Sequence, residues 1–337
     1  MPAATLRHLF GRVVVGCLLA LASLLAPVAG AQVERLFDTD YVRADSLAAP
    51  AGLTAAWTEP QKKLRLYDKD TRLELEADSR DCRLDGLRLF LGEPAVAHRR
   101  TIYVSRIDRD RFLLPILNPR GIPGVVPQLR TIVIDPGHGG KDDGATNAKL
   151  RLREKAMALD VALRLEKLLK KAGYQVVLTR RKDTFVPLPL RPVHAKKVKA
   201  DLFISIHFNA IENKAVTGIE TYILTPQHQR STSSDKRQPD DRIKQAGNDR
   251  DAWNAVLGFR MHRSLVRSFQ AFDRGLKRAR FAVLRDLPCP GILIEGGYLS
   301  NDVEARKIGT PEWRQKLAQT IAAGVTEYRA ALNEARR

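Results

Sequence analysis

The chain has 337 residues, enough for one large domain or two modest ones around a real core. Its formal charge of +19 and pI near 10.1 suit a polyanionic partner: nucleic acid, an anionic membrane or an anionic wall. Lys and Arg are spread along the chain and not gathered with aromatics, so no nucleic-acid module is expected. Three cysteines, one of them near the N-terminus, cannot build a thiolate zinc site.

Residues 1–12 carry Arg7 and Arg12 and no acid, residues 13–25 are apolar, and Ala29-Gly30-Ala31 supplies a small-x-small cleavage signature. Together they predict a secretory signal peptide over 1–31, cleaved after Ala31. The apolar core is too short for a span of roughly 20 residues, so no stable membrane anchor is expected. Cys17 sits in a passable lipoprotein box, but too little apolar chain precedes it. Once the signal is removed, Cys82 and Cys289 remain, as one disulfide or as two buried free thiols.

Residues 32–56 show no firm element. From Leu64 onward, Leu64-Arg65-Leu66 and Leu73-Glu74-Leu75 alternate at period two, and Asp85-Gly86 is a hairpin signal. Two further runs, at 87–91 and 101–104, complete a small β-rich module over 32–114. Pro115, Pro119, Pro123 and Pro127, with Gly121 and Gly124 among them, mark a linker over 115–128.

Residues 129–337 alternate strand and helix, which predicts an α/β domain: a doubly wound, mostly parallel sheet flanked by helices. The buried run 131–134 stops at Asp135-Pro136-Gly137-His138-Gly139-Gly140, which delivers a histidine onto a glycine-rich loop. Glu154 heads a helix with Ala158, Ala162, Leu165 and Leu169 on its apolar face, closed by Gly173. A strand follows at 174–179, then a short helix at 190–198. The run 201–207 ends on His207, and a further strand spans 217–224. Residues 226–250 are polar and nearly free of apolar side chains, so they predict a flexible loop at the rim of a substrate groove. They lack the apolar stripe an inhibitory helix would need to dock. Leu257, Met261, Leu265, Phe269 and Phe272 recur at helical spacing and read as core, which also removes Met261 and His262 from the candidate ligands. The run 291–294 ends on Glu295 and Gly296-Gly297. Thr310-Pro311-Glu312 opens the last helix, with Trp313, Leu317, Ile321, Val325, Tyr328 and Leu332 on its buried face.

His138, Glu154 and His207, each at a strand end or helix start, form a candidate His/Glu/His zinc set. Catalytic zinc keeps three protein ligands and one open position, where the pKa of a water falls to about 7. Glu295 is left over as the base for that water. Asp135 reads either as a partner orienting a ligand or as a loop-fixing carboxylate. Arg191 reads as a solvated surface residue, and His194 and His228 as solvated or local. His98 belongs to the β-rich module and His8 to the signal.

The segments IDPGHGGKDDGA, Glu154-Lys155, SIHFNA and ILIEGGYLSN, in that order, resemble the zinc-dependent N-acetylmuramoyl-L-alanine amidase family over roughly residues 129–327. Asp143 stands where a Pro is common and Gly297-Tyr298 where Gly-Phe is usual; neither touches a candidate ligand. The resemblance implies that His138, Glu154 and His207 bind Zn2+ and that Glu295 is catalytic. It further implies hydrolysis of the amide between N-acetylmuramic acid and L-alanine in peptidoglycan. The N-terminal module loosely resembles the copper-amine-oxidase-like modules ahead of some cell-wall enzymes. No histidine cluster supports copper, so only the shape is carried over, with a wall-binding role or a structural appendage both open.

Two other classes stay open: a zinc peptidase acting on the stem peptide, and a non-catalytic wall-binding protein. The presence of all four zinc-and-base residues speaks against the second. Peptidoglycan is the expected partner, an activator protein is left open, and the signal peptide together with the absence of wall-anchor repeats favours a periplasmic location.

Overall fold

The computed structural model describes residues 32–337; the expected signal peptide over 1–31 lies outside them. At the centre, the strands Gln175–Leu178, Thr131–Pro136, Leu202–Asn209 and Gly291–Tyr298 run parallel in that order. Ile219–Leu224 then joins antiparallel, and Asp273–Ala279 pairs parallel beyond it. The mostly parallel, helix-flanked α/β sheet read from the sequence is therefore present.

These strands are apolar on both faces because helices cover both. On one face, Ile132, Ile134, Ile204, Ile206 and Ile294 pack with residues of the helices Glu154–Lys171, Asp251–Phe269 and Pro311–Ala335. On the other, Val133, Phe203 and Leu293 meet Ala195, Val283, Leu284 and Leu287. The odd–even alternation along each strand assigns its side chains to the two layers. Helix ends follow the expected chemistry: Gly173, at φ +87°, closes the first helix, and Thr310 Oγ1 accepts the Trp313 N–H at the start of the last. Phe272 departs from its predicted stripe. The helix ends at Phe269, and Phe272 is exposed.

The N-terminal module extends the same sheet. An antiparallel meander, Thr54–Glu59, Lys63–Tyr67, Arg72–Glu76, Asp81–Leu84 and Leu87–Phe90, continues it to eleven strands, joined where Leu89 pairs with Leu276. The expected alternation buries Leu64, Leu66, Leu73 and Leu75, and Asp85-Gly86 forms the hairpin turn with both residues at positive φ. Residues 32–56, unread in the sequence, hold the hairpin strands Val33–Leu36 and Thr39–Arg43 of a second, four-stranded sheet. Residues 106–117 are helical, with Pro115 and Ile116 buried, so the extended connection begins only near Asn118. Cys82 and Cys289 are both buried free thiols and do not pair.

Residues 226–250 do not behave as a rim. They form two short 3-10 turns and are fastened to the N-terminal module. The Arg80 guanidinium donates to the carbonyls of Ser231 and Ser234, Gln229 Nε2 donates to Ser105, and Glu93 pairs with Arg230 and Arg237. Several of their polar side chains have partners in that module, which composition alone does not reveal.

Candidate active site

The site lies at the C-terminal ends of the central parallel strands, where an open α/β sheet leaves a crevice. His138 follows the strand Thr131–Pro136 in a left-handed conformation, φ +59°, which is uncommon for a residue with a side chain. The loop is held from several sides. Gly139 and Asp142 exchange backbone hydrogen bonds, Lys155 Nζ donates to the Gly140 carbonyl, and Arg191 donates to the carbonyls of Pro136 and His138.

Two glycines make room for the functional side chains. A Cβ on Gly137 would stand 2.3 Å from Cε1 of His207, and one on Gly144 would stand 2.5 Å from Oε2 of Glu154. Any larger residue at either position would occupy the site itself.

Glu154 is the first residue of its helix and is buried. Its Oε2 accepts the Ala145 N–H at 2.7 Å and its Oε1 the Phe208 N–H at 3.1 Å. Both histidines converge on that same Oε1: His138 Nε2 at 3.0 Å and His207 Nδ1 at 2.8 Å. The imidazole rings stand nearly perpendicular, 5.0 Å apart. One nitrogen from each histidine and one oxygen from Glu154 all lie within 4.8 Å of one another. Burial works against charge on Glu154, but its bonds to His138 and His207 outweigh that and hold its carboxyl well below the usual range. For His138 burial likewise opposes protonation, and Glu154 and Asp142 together raise its pKa.

Glu295 pairs in register with His207 on the neighbouring strand and lines the same cleft, of about 410 Å³, with Leu188, Asn209 and Phe281. Its Oε2 is buried without a hydrogen-bond partner. Burial first, then the charges of Glu154 and Glu220, push its carboxyl well above the ordinary range, against a smaller pull from Lys277. A buried, unpartnered carboxyl oxygen thus stands beside three convergent donor atoms that could hold a metal ion.

The N-acetylmuramoyl-L-alanine amidase family matches residues 132–327. The chain belongs to this family. AmiC of Escherichia coli, an N-acetylmuramoyl-L-alanine amidase, is 34% identical over 229 residues, covering 61% of this chain and 55% of that protein. AmiA of Escherichia coli K12 is 30% identical over 220 residues, covering 59% and 76%. The catalytic domain of the amidase CwlV from Paenibacillus polymyxa superposes with a TM-score of 0.51 at 32% identity, covering 60% of this chain and 99% of that one. The chain spans about half the length of the AmiC proteins it matches, 55% in Escherichia coli and 52% in Neisseria meningitidis. The family match begins at residue 132, so the N-terminal module lies outside it.

Within the amidase domain the structure brings His138, Glu154, His207 and Glu295 together around one cleft. Asp135 takes the loop-fixing alternative. It is fully buried and accepts from Thr179, Ser205 and Arg191, and none of its hydrogen bonds reaches a histidine. Arg191 is a correction: it is buried, not solvated, because Asp135, the Pro136 and His138 carbonyls of the histidine loop and the Val186 carbonyl satisfy its guanidinium. His262 is buried between Thr221 and Asp273, away from the cleft. Asp142, which contacts His138, was in plain view within the first motif, but nothing in the spacing distinguished it from Asp143. Phe281 follows Asp273–Ala279, a strand whose pattern was not read.

Proposed function

We propose that this protein is a zinc-dependent hydrolase of the amide joining N-acetylmuramic acid to L-alanine in peptidoglycan, exported to the periplasm by a cleaved signal. The observation that carries this reading is the convergence of two histidine nitrogens and a glutamate oxygen beside the orphaned Glu295 carboxylate. Two nitrogens, one carboxylate oxygen and an open side toward the cleft match the donor set of catalytic zinc. His138, Glu154 and His207 would hold the ion. Zinc bound there supplies Lewis acidity toward the amide carbonyl and makes a water acidic enough to attack near neutral pH.

Every remaining step belongs to side chains of this chain. Glu295 Oε2 accepts the proton of the attacking water and returns it to the leaving alanine nitrogen. Burial denies that oxygen other partners, so it is free for the proton. Glu154 stays ionised through its contacts with the histidines and with the Ala145 and Phe208 amides. Leu188 and Phe281 give the cleft an apolar wall that limits water around the reacting amide. Among the described residues no helix is long and apolar enough to cross a membrane.

Digestion of purified peptidoglycan, with products identified by mass spectrometry, tests the proposal. Free stem peptides beginning with L-Ala, lost on chelation, support it. Muropeptides shortened within the stem point to a peptidase. Binding to the wall without release, even with added periplasmic extract, rejects the enzymatic reading in favour of a binding protein.

A further inference from the structure

The two histidines offer different nitrogens to the cleft. His207 turns Nδ1 toward Glu154, whereas His138 turns Nε2 toward it and gives Nδ1 to the side chain of Asp142, at 2.9 Å. An ionised carboxylate only accepts hydrogen bonds, so His138 Nδ1 donates to Asp142, and Nε2 is the nitrogen left to offer a lone pair to a cation. The second Asp142 oxygen is fixed as well, accepting the Gly144 N–H at 3.1 Å. Asp142 therefore holds the ring of a histidine whose own backbone is in the left-handed region.

We propose that Asp142 is a positioning residue for the metal: its carboxylate fixes the tautomer and ring plane in which His138 Nε2 faces Glu154 and His207. This inference rests on the zinc reading above and assigns Asp142 no contact with the metal or the substrate. Its oxygen lies on the far side of the imidazole, and it is not among the three convergent ligands. The loop is also held by bonds that do not use this carboxylate: the backbone bonds between Gly139 and Asp142, the Lys155–Gly140 bond and the Arg191–His138 bond. The Asp142 side chain adds the partner for His138 Nδ1 and an acceptor for the Gly144 N–H. Carboxylate or carbonyl partners behind metal-binding histidines generally contribute 10- to 100-fold to metal affinity.

The test compares the purified chain with its Asp142→Ala and Asp142→Asn variants. Zinc affinity is measured by competition with a chromophoric chelator. The hydrogen bond of His138 Nδ1–H is read from long-range proton–nitrogen correlations of the imidazole, and apo thermal stability is followed alongside. The expected result is a loss of zinc affinity of about 10- to 100-fold in Asp142→Ala. The His138 Nδ1–H also loses its hydrogen-bonded shift in that variant, while the apo melting temperature moves by no more than a few degrees. Asp142→Asn, which keeps a carbonyl acceptor, falls between the two. Wild-type affinity in Asp142→Ala overturns the inference, as does an unchanged His138 Nδ1–H shift. If Asp142→Ala does not fold, the Nδ1–H shift and affinity of Asp142→Asn decide alone: values indistinguishable from wild type overturn the inference. Failure of the wild-type chain to bind zinc is a separate outcome, and it overturns the zinc reading itself.

Discussion

Gly137 and His207 are packed so closely that the missing side chain of one leaves the space for the ring of the other. A Cβ at Gly137 would lie 2.3 Å from Cε1 of His207, and 2.7 Å from Nε2. Gly137→Ala must therefore push the His207 imidazole off its line to Glu154. Overpacking of this kind costs about 1–3 kcal/mol of stability, and a displacement of about 1 Å at a reacting centre costs on the order of 100-fold in rate. The expected outcome is a folded protein, by circular dichroism, with zinc affinity and peptidoglycan release both strongly reduced. Wild-type zinc affinity in Gly137→Ala would show that the histidine is not held where the loop places it.

The catalytic sheet and the N-terminal module share a fully buried ion pair between Arg278 and Asp108. Asp108 also accepts from Gly92 N–H and Ser105 Oγ, and Arg278 donates to the Phe90 carbonyl. Removing one partner strands a buried charge, so Asp108→Ala is expected to destabilise the protein by about 3–5 kcal/mol in denaturant unfolding. We further propose that residues 32–128 belong to the catalytic fold and are not a detachable module. Residues 129–337 alone are then expected to be insoluble or molten, and a soluble, cooperatively melting fragment would count against this.

Asp251 provides a pH signature. Burial raises its carboxyl to about 6, above the ordinary aspartate range, against opposing bonds from Asn248 and Arg111. A carboxyl whose affinity for a proton is higher in the folded state stabilises that state below its unfolded value. This contribution is lost as pH rises through about 6. Relative to Asp251→Asn, the wild type should lose up to about 3 kcal/mol of stability between pH 4 and pH 7. Urea unfolding of both proteins across that range checks the sign, and parallel curves would refute the shift.

How much of this was legible beforehand depended on how locally each residue finds its partners. His138, His207 and Glu295 terminate apolar strand runs, and Glu154 begins a helix, so their placement follows from chain-local pattern and the geometry of a parallel sheet. Arg191 reads as a surface residue in sequence because nothing local shows that Asp135 and the Pro136 and His138 carbonyls surround it. The polar stretch 226–250 reads as a free loop for the same reason: Arg80 and Glu93, which bind it, lie about 150 residues away. The pairing of Leu89 with Leu276 joins two runs that look independent in sequence, and only the folded sheet reveals that they are neighbours.

The proposed site comprises three ligands and one proton acceptor, and Glu295→Gln separates those roles most directly. The variant keeps the shape of the cleft and leaves His138, Glu154 and His207 untouched. Its zinc content should equal that of the wild type, while the release of stem peptides from peptidoglycan falls by about 100- to 10,000-fold. Release within tenfold of wild type, or loss of zinc along with activity, would contradict the assignment of Glu295 as the proton acceptor.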